Sequence, residues 1–149
     1  MEEIKKYHVV IALGSNLGDK DQNLRVAIDE MRKSIGEIDR ISRFMESNAW
    51  GYESTNSFLN ACVTCFTQLT PQELLAALKK IEGKMGRVKL KETYEDRCID
   101  LDIIFYHDQF IHTNELIIPH LHFKSREFVL KPLLEIIQEK DVFYPFISS

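Results

Sequence analysis

The sequence predicts an α+β domain of the ferredoxin-like kind, a βαββαβ core with a mainly antiparallel sheet and helices packed on it. Two observations predict it. Four stretches rich in β-branched and apolar residues stand at 7–13, 38–47, 58–68 and 99–106. Two stretches with apolar residues at helical spacing follow the first and the third of them. The 149 residues suit a single domain spanning 1–149, and 44% hydrophobic with 28% charged residues is a globular composition.

The elements follow in order. Residues 7–13 (YHVVIAL) read as a central strand that Gly14 ends. Leu24, Ala27, Ile28, Met31 and Ile35 recur at helical spacing up to Gly36, with Asp19 or Asp21 as the cap. Residues 38–47 read as one strand, and 48–57 (NAWGYESTNS) as a turn-rich loop carrying Trp50 and Tyr52. A third strand at 58–68 precedes Thr70-Pro71-Gln72-Glu73, a capping box with proline at the first helical position. Leu74, Leu75, Leu78, Ile81 and Met85 carry that helix to Gly86. Residues 87–97 (RVKLKETYEDR) read as a long polar loop, and 99–106 (IDLDIIFY) as the fourth strand. Residues 110–118 suggest a hairpin partner, and 123–137 a helix that Pro132 interrupts.

Three cysteines, an odd number, and no secretory leader point to a reducing cytoplasm. Cys62 and Cys65 form a C-x-x-C, but on a strand positions i and i+3 face opposite sides, so they read as core residues. No apolar run approaches the ~20 residues of a membrane span. A net charge of -4 argues against a protein that coats nucleic acid.

The chemistry points to Asp100 and Asp102. Alternate strand residues share a face, so Ile99, Leu101 and Ile103 turn to the core and both carboxylates turn the other way. A wet strand face would also carry such a pair. Two adjacent carboxylates repel, however, and magnesium offsets this by taking one or two carboxylates together with substrate phosphates. Arg87, Lys89, Lys91 and Arg97 supply cations in the preceding loop. Acids for a metal beside cations for phosphate oxygens is what phosphoryl transfer requires. Gly14-Ser15-Asn16-Leu17-Gly18, between a strand and a helix, suggests a phosphate-binding turn but lacks the P-loop ending.

Two other readings fit parts of this pattern. A metal-dependent phosphohydrolase would use the same D-x-D but needs a third acidic ligand or a base to activate water. An RNA-binding module of this fold would show exposed strand aromatics on a basic platform.

The sequence also resembles the 6-hydroxymethyl-7,8-dihydropterin pyrophosphokinases of folate biosynthesis. The resemblance runs through nearly the whole chain. It covers Ala12-Leu13-Gly14-Ser15-Asn16-Leu17-Gly18, Phe58-Leu59-Asn60-Ala61, Ile81-Glu82 with Gly86-Arg87, and Arg97-x-x-Asp100-Leu101-Asp102-Ile103-Ile104. It continues through Ile118-Pro119-His120, Arg126, Phe128-Val129-Leu130 and Pro132-Leu133.

The resemblance implies transfer of the β,γ-diphosphate of ATP to the 6-hydroxymethyl group of the dihydropterin, with AMP leaving. It implies two Mg²⁺ ions held by Asp100 and Asp102, with Arg87 and Arg97 neutralising phosphate from a mobile loop. Glu82, Lys89, Ile103, His120 and Arg126 complete the ATP site. Asn60 bonds the pterin, and Phe128 and Tyr94 cover its two faces. Ser47, Asn48, Trp50, Phe58 and Asp100 complete that pocket. The implied partners are ATP and the pterin alcohol, with no nucleic acid and no membrane, in a monomer. The chain departs from the family where Tyr94-Glu95-Asp96 replaces the usual tryptophan, glycine and proline or alanine. Lys89 stands where arginine is common, and Leu121 where tyrosine is frequent.

Overall fold

The computed structural model describes residues 4–47, 57–86 and 98–148. β1 (Tyr7–Ser15) is the central strand, buried from His8 onward. α1 (Lys20–Ser34) begins at Asp19, whose side chain accepts the Gln22 N–H, and buries Leu24, Ala27, Ile28 and Met31. β2 (Gly36–Ile41) and β3 (Met45–Ser47) lead to β4 (Phe58–Thr67). α2 (Pro71–Lys84) starts at the Thr70–Glu73 capping box, with both reciprocal bonds made. β5 (Asp100–Tyr106) follows, then the short pair β6 (Ile111–His112) and β7 (Ile117–Ile118), then α3 (Glu127–Ile136) and α4 (Tyr144–Ser148).

The sheet order is β2-β4-β1-β5, with β3 extending β2's place along β4. Every pairing is antiparallel. This is the ferredoxin-like topology. Helices cover both faces. On one, Val9, Ile11, Leu13, Ala61, Val63, Leu101 and Ile103 pack with α1 and α2. On the other, Val10, Ala12, Cys62, Ile104 and Phe105 pack with Val129, Leu133 and Ile136 of α3 and with Phe143. Each fully buried aliphatic side chain contributes about 1.5–3 kcal/mol relative to exposure, so these two layers are the main source of stability. A sheet face covered by helices is not the open platform that an RNA-binding module uses.

Four expectations need correction. The stretch 38–47 is two strands, because Ser42 turns inward and breaks the ladder. The Ser42 N–H donates to the Cys62 carbonyl at 3.0 Å, and the Cys62 N–H donates to Ser42 Oγ at 2.9 Å. A side-chain oxygen thus stands in for a strand carbonyl. Gly14 does not end β1, which runs on through Ser15. β6 and β7 pair with each other, not with the sheet. Pro132 lies inside α3 and is buried, and the helix starts only at Glu127.

Cys62 and Cys65 do face opposite layers. Burial pushes the Cys65 thiol up to about 12 and the Cys62 thiol further up, so neither is a thiolate near neutrality. Among the described residues no helix is long and apolar enough to cross a membrane.

His8 lies between the rings of Phe66 and Phe143, at centroid distances of 4.3 and 4.8 Å, with Nε2 3.2 Å from Asp39 Oδ2. Burial lowers its pKa and Arg40 adds to the lowering, outweighing Asp141 and Asp39. The unfolded imidazole therefore takes up a proton first as pH falls. Stability from this residue is full above about pH 6.5 and declines below it, until the folded imidazole titrates. Denaturant titrations from pH 8 to pH 5 should show that decline, and His8→Gln should flatten it. An unchanged slope in the variant would contradict the assignment.

Candidate active site

β5 and β1 bring the site together at one end of the sheet. Leu101 and Ile103 are buried against the α1–α2 layer, so Asp100 and Asp102, both half-buried, point to the α3 side. The register sets Gly14 opposite both Asn60 on β4 and Asp100 on β5. One rung further in, Ala12 lies opposite Cys62 and Asp102. Along this face β1 therefore steps down from Val10 to Ala12 to Gly14 as it leaves the core. A β-bulge between Val10 and Ile11 puts both Ile104 and Phe105 into the α3 layer. The bulge lets a buried aromatic follow directly on the stretch that carries the two acids.

Glu82 has a role the sequence did not reveal. β5 is the sheet's edge strand, and its outward N–H groups need partners. Glu82, 5% exposed on α2, accepts the Leu101 N–H at 2.7 Å. It thereby fixes the peptide that lies between Asp100 and Asp102. The only hint in the sequence was a glutamate on the apolar stripe of the helix.

The opposite wall comes from residues 114–126. The His120 N–H donates to the Ile104 carbonyl at 2.9 Å, fastening this segment to β5. Its Nδ1 accepts the His122 N–H at 3.4 Å, which assigns the proton of the neutral ring to Nε2. Burial lowers the His120 pKa, helped by Arg126 and His122 and opposed by Asp100. The neutral ring is thus a single N–H donor near neutral pH. Arg126 is the residue before α3, with its guanidinium 5.9 Å from the centre of the Phe128 ring. Together these walls enclose a cleft of about 510 Å³, lined by Glu82, Asp100, Asp102, Ile103, His120 and Arg126. Leu75, Lys79 and the turn residues Asn114, Glu115 and Leu116 line it too, and sequence reasoning missed them. Asn114, Glu115 and Leu116 belong to the hairpin that β6 and β7 form with each other, and Leu75 and Lys79 lie on α2.

On the other side of Gly14, Asn60 is 4% exposed. Its Nδ2 donates to Ser47 Oγ at 2.7 Å and to the Met45 carbonyl at 3.2 Å. Both amide hydrogens are thereby used, which leaves Oδ1 as the group presented to a ligand. Ser47 accordingly holds Asn60 in place. Phe58 on β4 stands beside Gly14, and Phe128 on α3 packs against the layer that holds Ala12 and Cys62; both are half-buried. The structure so brings Ser47, Phe58, Asn60, Glu82, Asp100, Asp102, Ile103, His120, Arg126 and Phe128 to one region. Asn48, Trp50, Arg87, Lys89, Tyr94 and Arg97 lie outside the described residues.

The donor set suits magnesium. Among the described residues no group of three or more His, Cys, Asp or Glu could hold a metal by itself. Two carboxylates on one face, open to a cleft, fit an ion that takes one or two carboxylates and completes its shell from phosphate and water.

Comparison with known proteins shows the family. Residues 10–138 match the family described as 7,8-dihydro-6-hydroxymethylpterin-pyrophosphokinase. A 2-amino-4-hydroxy-6-hydroxymethyldihydropteridine pyrophosphokinase of Aquifex aeolicus is 42% identical over 137 residues, 92% of this chain and 83% of that one. One from Porphyromonas gingivalis is 37% identical over 132 residues, 86% of this chain and 89% of its own. The fold is similar to the crystal structure of wild-type Plasmodium falciparum HPPK-DHPS, with a TM-score of 0.73 at 17% identity. That match covers 99% of this chain and 46% of the longer one.

Proposed function

This chain belongs to the 7,8-dihydro-6-hydroxymethylpterin-pyrophosphokinase family, and we propose that it holds ATP in the cleft beside β5 and the pterin alcohol across β1. The enzyme moves the β,γ-diphosphate of ATP to the hydroxymethyl group of 6-hydroxymethyl-7,8-dihydropterin, a step of folate biosynthesis. The hydroxymethyl oxygen bonds to the β-phosphorus as that phosphorus loses its bridging oxygen to the α-phosphate. The hydroxyl proton is lost, and AMP leaves.

The observation that carries the site assignment is the rung Asn60–Gly14–Asp100. The residue that reads the acceptor and the residue that faces the phosphates stand two strand spacings apart, roughly 9.5 Å, on one face. In this reading Asn60 Oδ1 accepts from the N–H groups of the pterin edge, while Phe128 and Tyr94 cover the ring faces, with Phe58, Asn48 and Trp50 completing the pocket. The hydroxymethyl end then points toward Asp100. Asp100 and Asp102 hold two magnesium ions, which supply charge neutralisation of the triphosphate when bound. The His120 Nε2–H, Arg126 and Lys89 donate to phosphate oxygens, and Ile103 and Leu75 offer the apolar wall for the base. Arg87 and Arg97 meet the transferring phosphates, where their contacts strengthen as charge develops.

Two experiments test this reading. AMP formation should require ATP, magnesium and the pterin alcohol together. ATP splitting that proceeds equally without the acceptor would instead support a phosphohydrolase. Asn60→Ala and Phe128→Ala should each raise the acceptor KM roughly tenfold while changing the ATP KM little, since each removes a hydrogen bond or a stacking face. A loss confined to ATP binding in calorimetry would mean that the acceptor pocket lies elsewhere.

A further inference from the structure

We propose that Gly14 is a positioning residue for the acceptor, an assignment that rests on the functional reading above. Gly14 is the middle residue of the rung that joins Asn60 to Asp100. Its φ does not lie in the positive range that favours glycine, unlike Gly18, Gly36 and Gly86. The backbone at this position therefore accepts an L-residue without strain, and conformation is not the reason for glycine here. The reason is space. A Cβ built on Gly14 would stand 3.4 Å from Asn60 Oδ1 and 3.5 Å from Cδ1 of the Phe58 ring. These are ordinary contact distances, so the fold accommodates a methyl.

The same methyl would sit on the bare backbone between the three acceptor-facing groups, Asn60 Oδ1, the Phe58 ring and Asp100. The bond from Oδ1 to a pterin N–H must cross that space, and so must the ring that carries the hydroxymethyl group to Asp100. Asn60 has no freedom to retreat, because Ser47 Oγ and the Met45 carbonyl hold its amide. The inward neighbours show the gradient that makes the slot. Val10 and Ala12 fill the same face where Val129 and Leu133 of α3 close on the sheet, and only at Gly14 does the side chain vanish.

The Gly14→Ala enzyme tests this directly. It should unfold at the wild-type temperature or higher, since glycine in a strand interior is destabilising relative to alanine. Its KM for the pterin alcohol should rise about tenfold or more, the scale of one extra carbon forced into a packed site. The ATP KM should stay within about twofold, because the cleft beside β5 does not include this position. A purely structural role would move the unfolding temperature and leave the split between the two KM values unchanged. Wild-type turnover with an unaltered acceptor KM in the variant overturns the assignment alone. A variant that fails to fold also overturns it, because it contradicts the ordinary contact distances. No pterin diphosphate from the wild type would overturn the functional reading, and the assignment with it.

Discussion

Asp102→Ala is expected to lower kcat by roughly 10³-fold at saturating magnesium, and Asp100→Ala by a similar factor. Both carboxylates share the α3-side face of β5, and the β1 residues opposite them, Gly14 and Ala12, bring no charge there. Each loss removes a candidate metal ligand and leaves phosphate charge less neutralised in the transition state. Asp102→Asn separates charge from shape, since the amide keeps the volume and loses the negative charge. It should fall nearly as far as the alanine variant. The half-buried side chains anchor no core layer, so folding should survive in every variant, as circular dichroism would check. Full activity in any of the three would remove the metal assignment.

Asp141→Ala is expected to cost about 3 kcal/mol of stability, the scale of breaking a buried ion pair from one side. For a chain of this length that is roughly 6–12 °C in Tm. Arg40 grips Asp141 at two points, Nη1 to Oδ2 at 2.9 Å and Nη2 to Oδ1 at 2.6 Å. The Gln138 N–H also donates to Asp141 Oδ2, at 2.7 Å. Arg40 further bonds the Ile136 carbonyl at the end of α3. The pair thus ties α3 and the segment after it to β2, and Asp141 is 6% exposed. The variant strands the Arg40 cation, although Asp39 at 3.1 Å remains a weaker partner. The pair lies near His8, at the far end of β1 from Gly14 and about 20 Å away along the strand. Activity at low temperature should therefore stay near wild type. An unchanged Tm would show that solvent or Asp39 replaces the pair without loss.

The parts of the fold legible in the sequence were those whose causes are local. The capping box at Thr70–Glu73 needs only four neighbouring residues, and it formed as read. The opposite facing of Asp100 and Leu101, and of Cys62 and Cys65, follows from strand alternation alone. What escaped depends on partners distant in sequence. The break at Ser42 exists because Cys62 lies across from it. The bulge beside Ile104 depends on β1 register, and the burial of Pro132 inside α3 depends on elements packed around the helix. α4 is short and its packing against Phe105 through Phe146 has no periodic signal.

The site divides in the same way. Residue types and spacing pointed to Asp100 and Asp102, and the family resemblance implied Asn60, His120 and Arg126. They did not show that Ser47 and Met45 use up the Asn60 amide hydrogens and leave Oδ1 for a ligand. Nor did they show that Glu82 acts through the Leu101 peptide. Both are hydrogen bonds that only the folded chain brings about. The order in which strand residues share a rung is also invisible until pairing is known, which is why Gly14 read as a turn.

The central claim is that this site moves a diphosphate, and ³¹P NMR of the running reaction tests it most directly. With ATP, magnesium and 6-hydroxymethyl-7,8-dihydropterin, the spectrum should show AMP and a pterin diphosphate ester with two coupled phosphorus signals, in equal amounts. Appearance of ADP with a pterin monophosphate, or of free phosphate in step with ATP loss, would contradict the account.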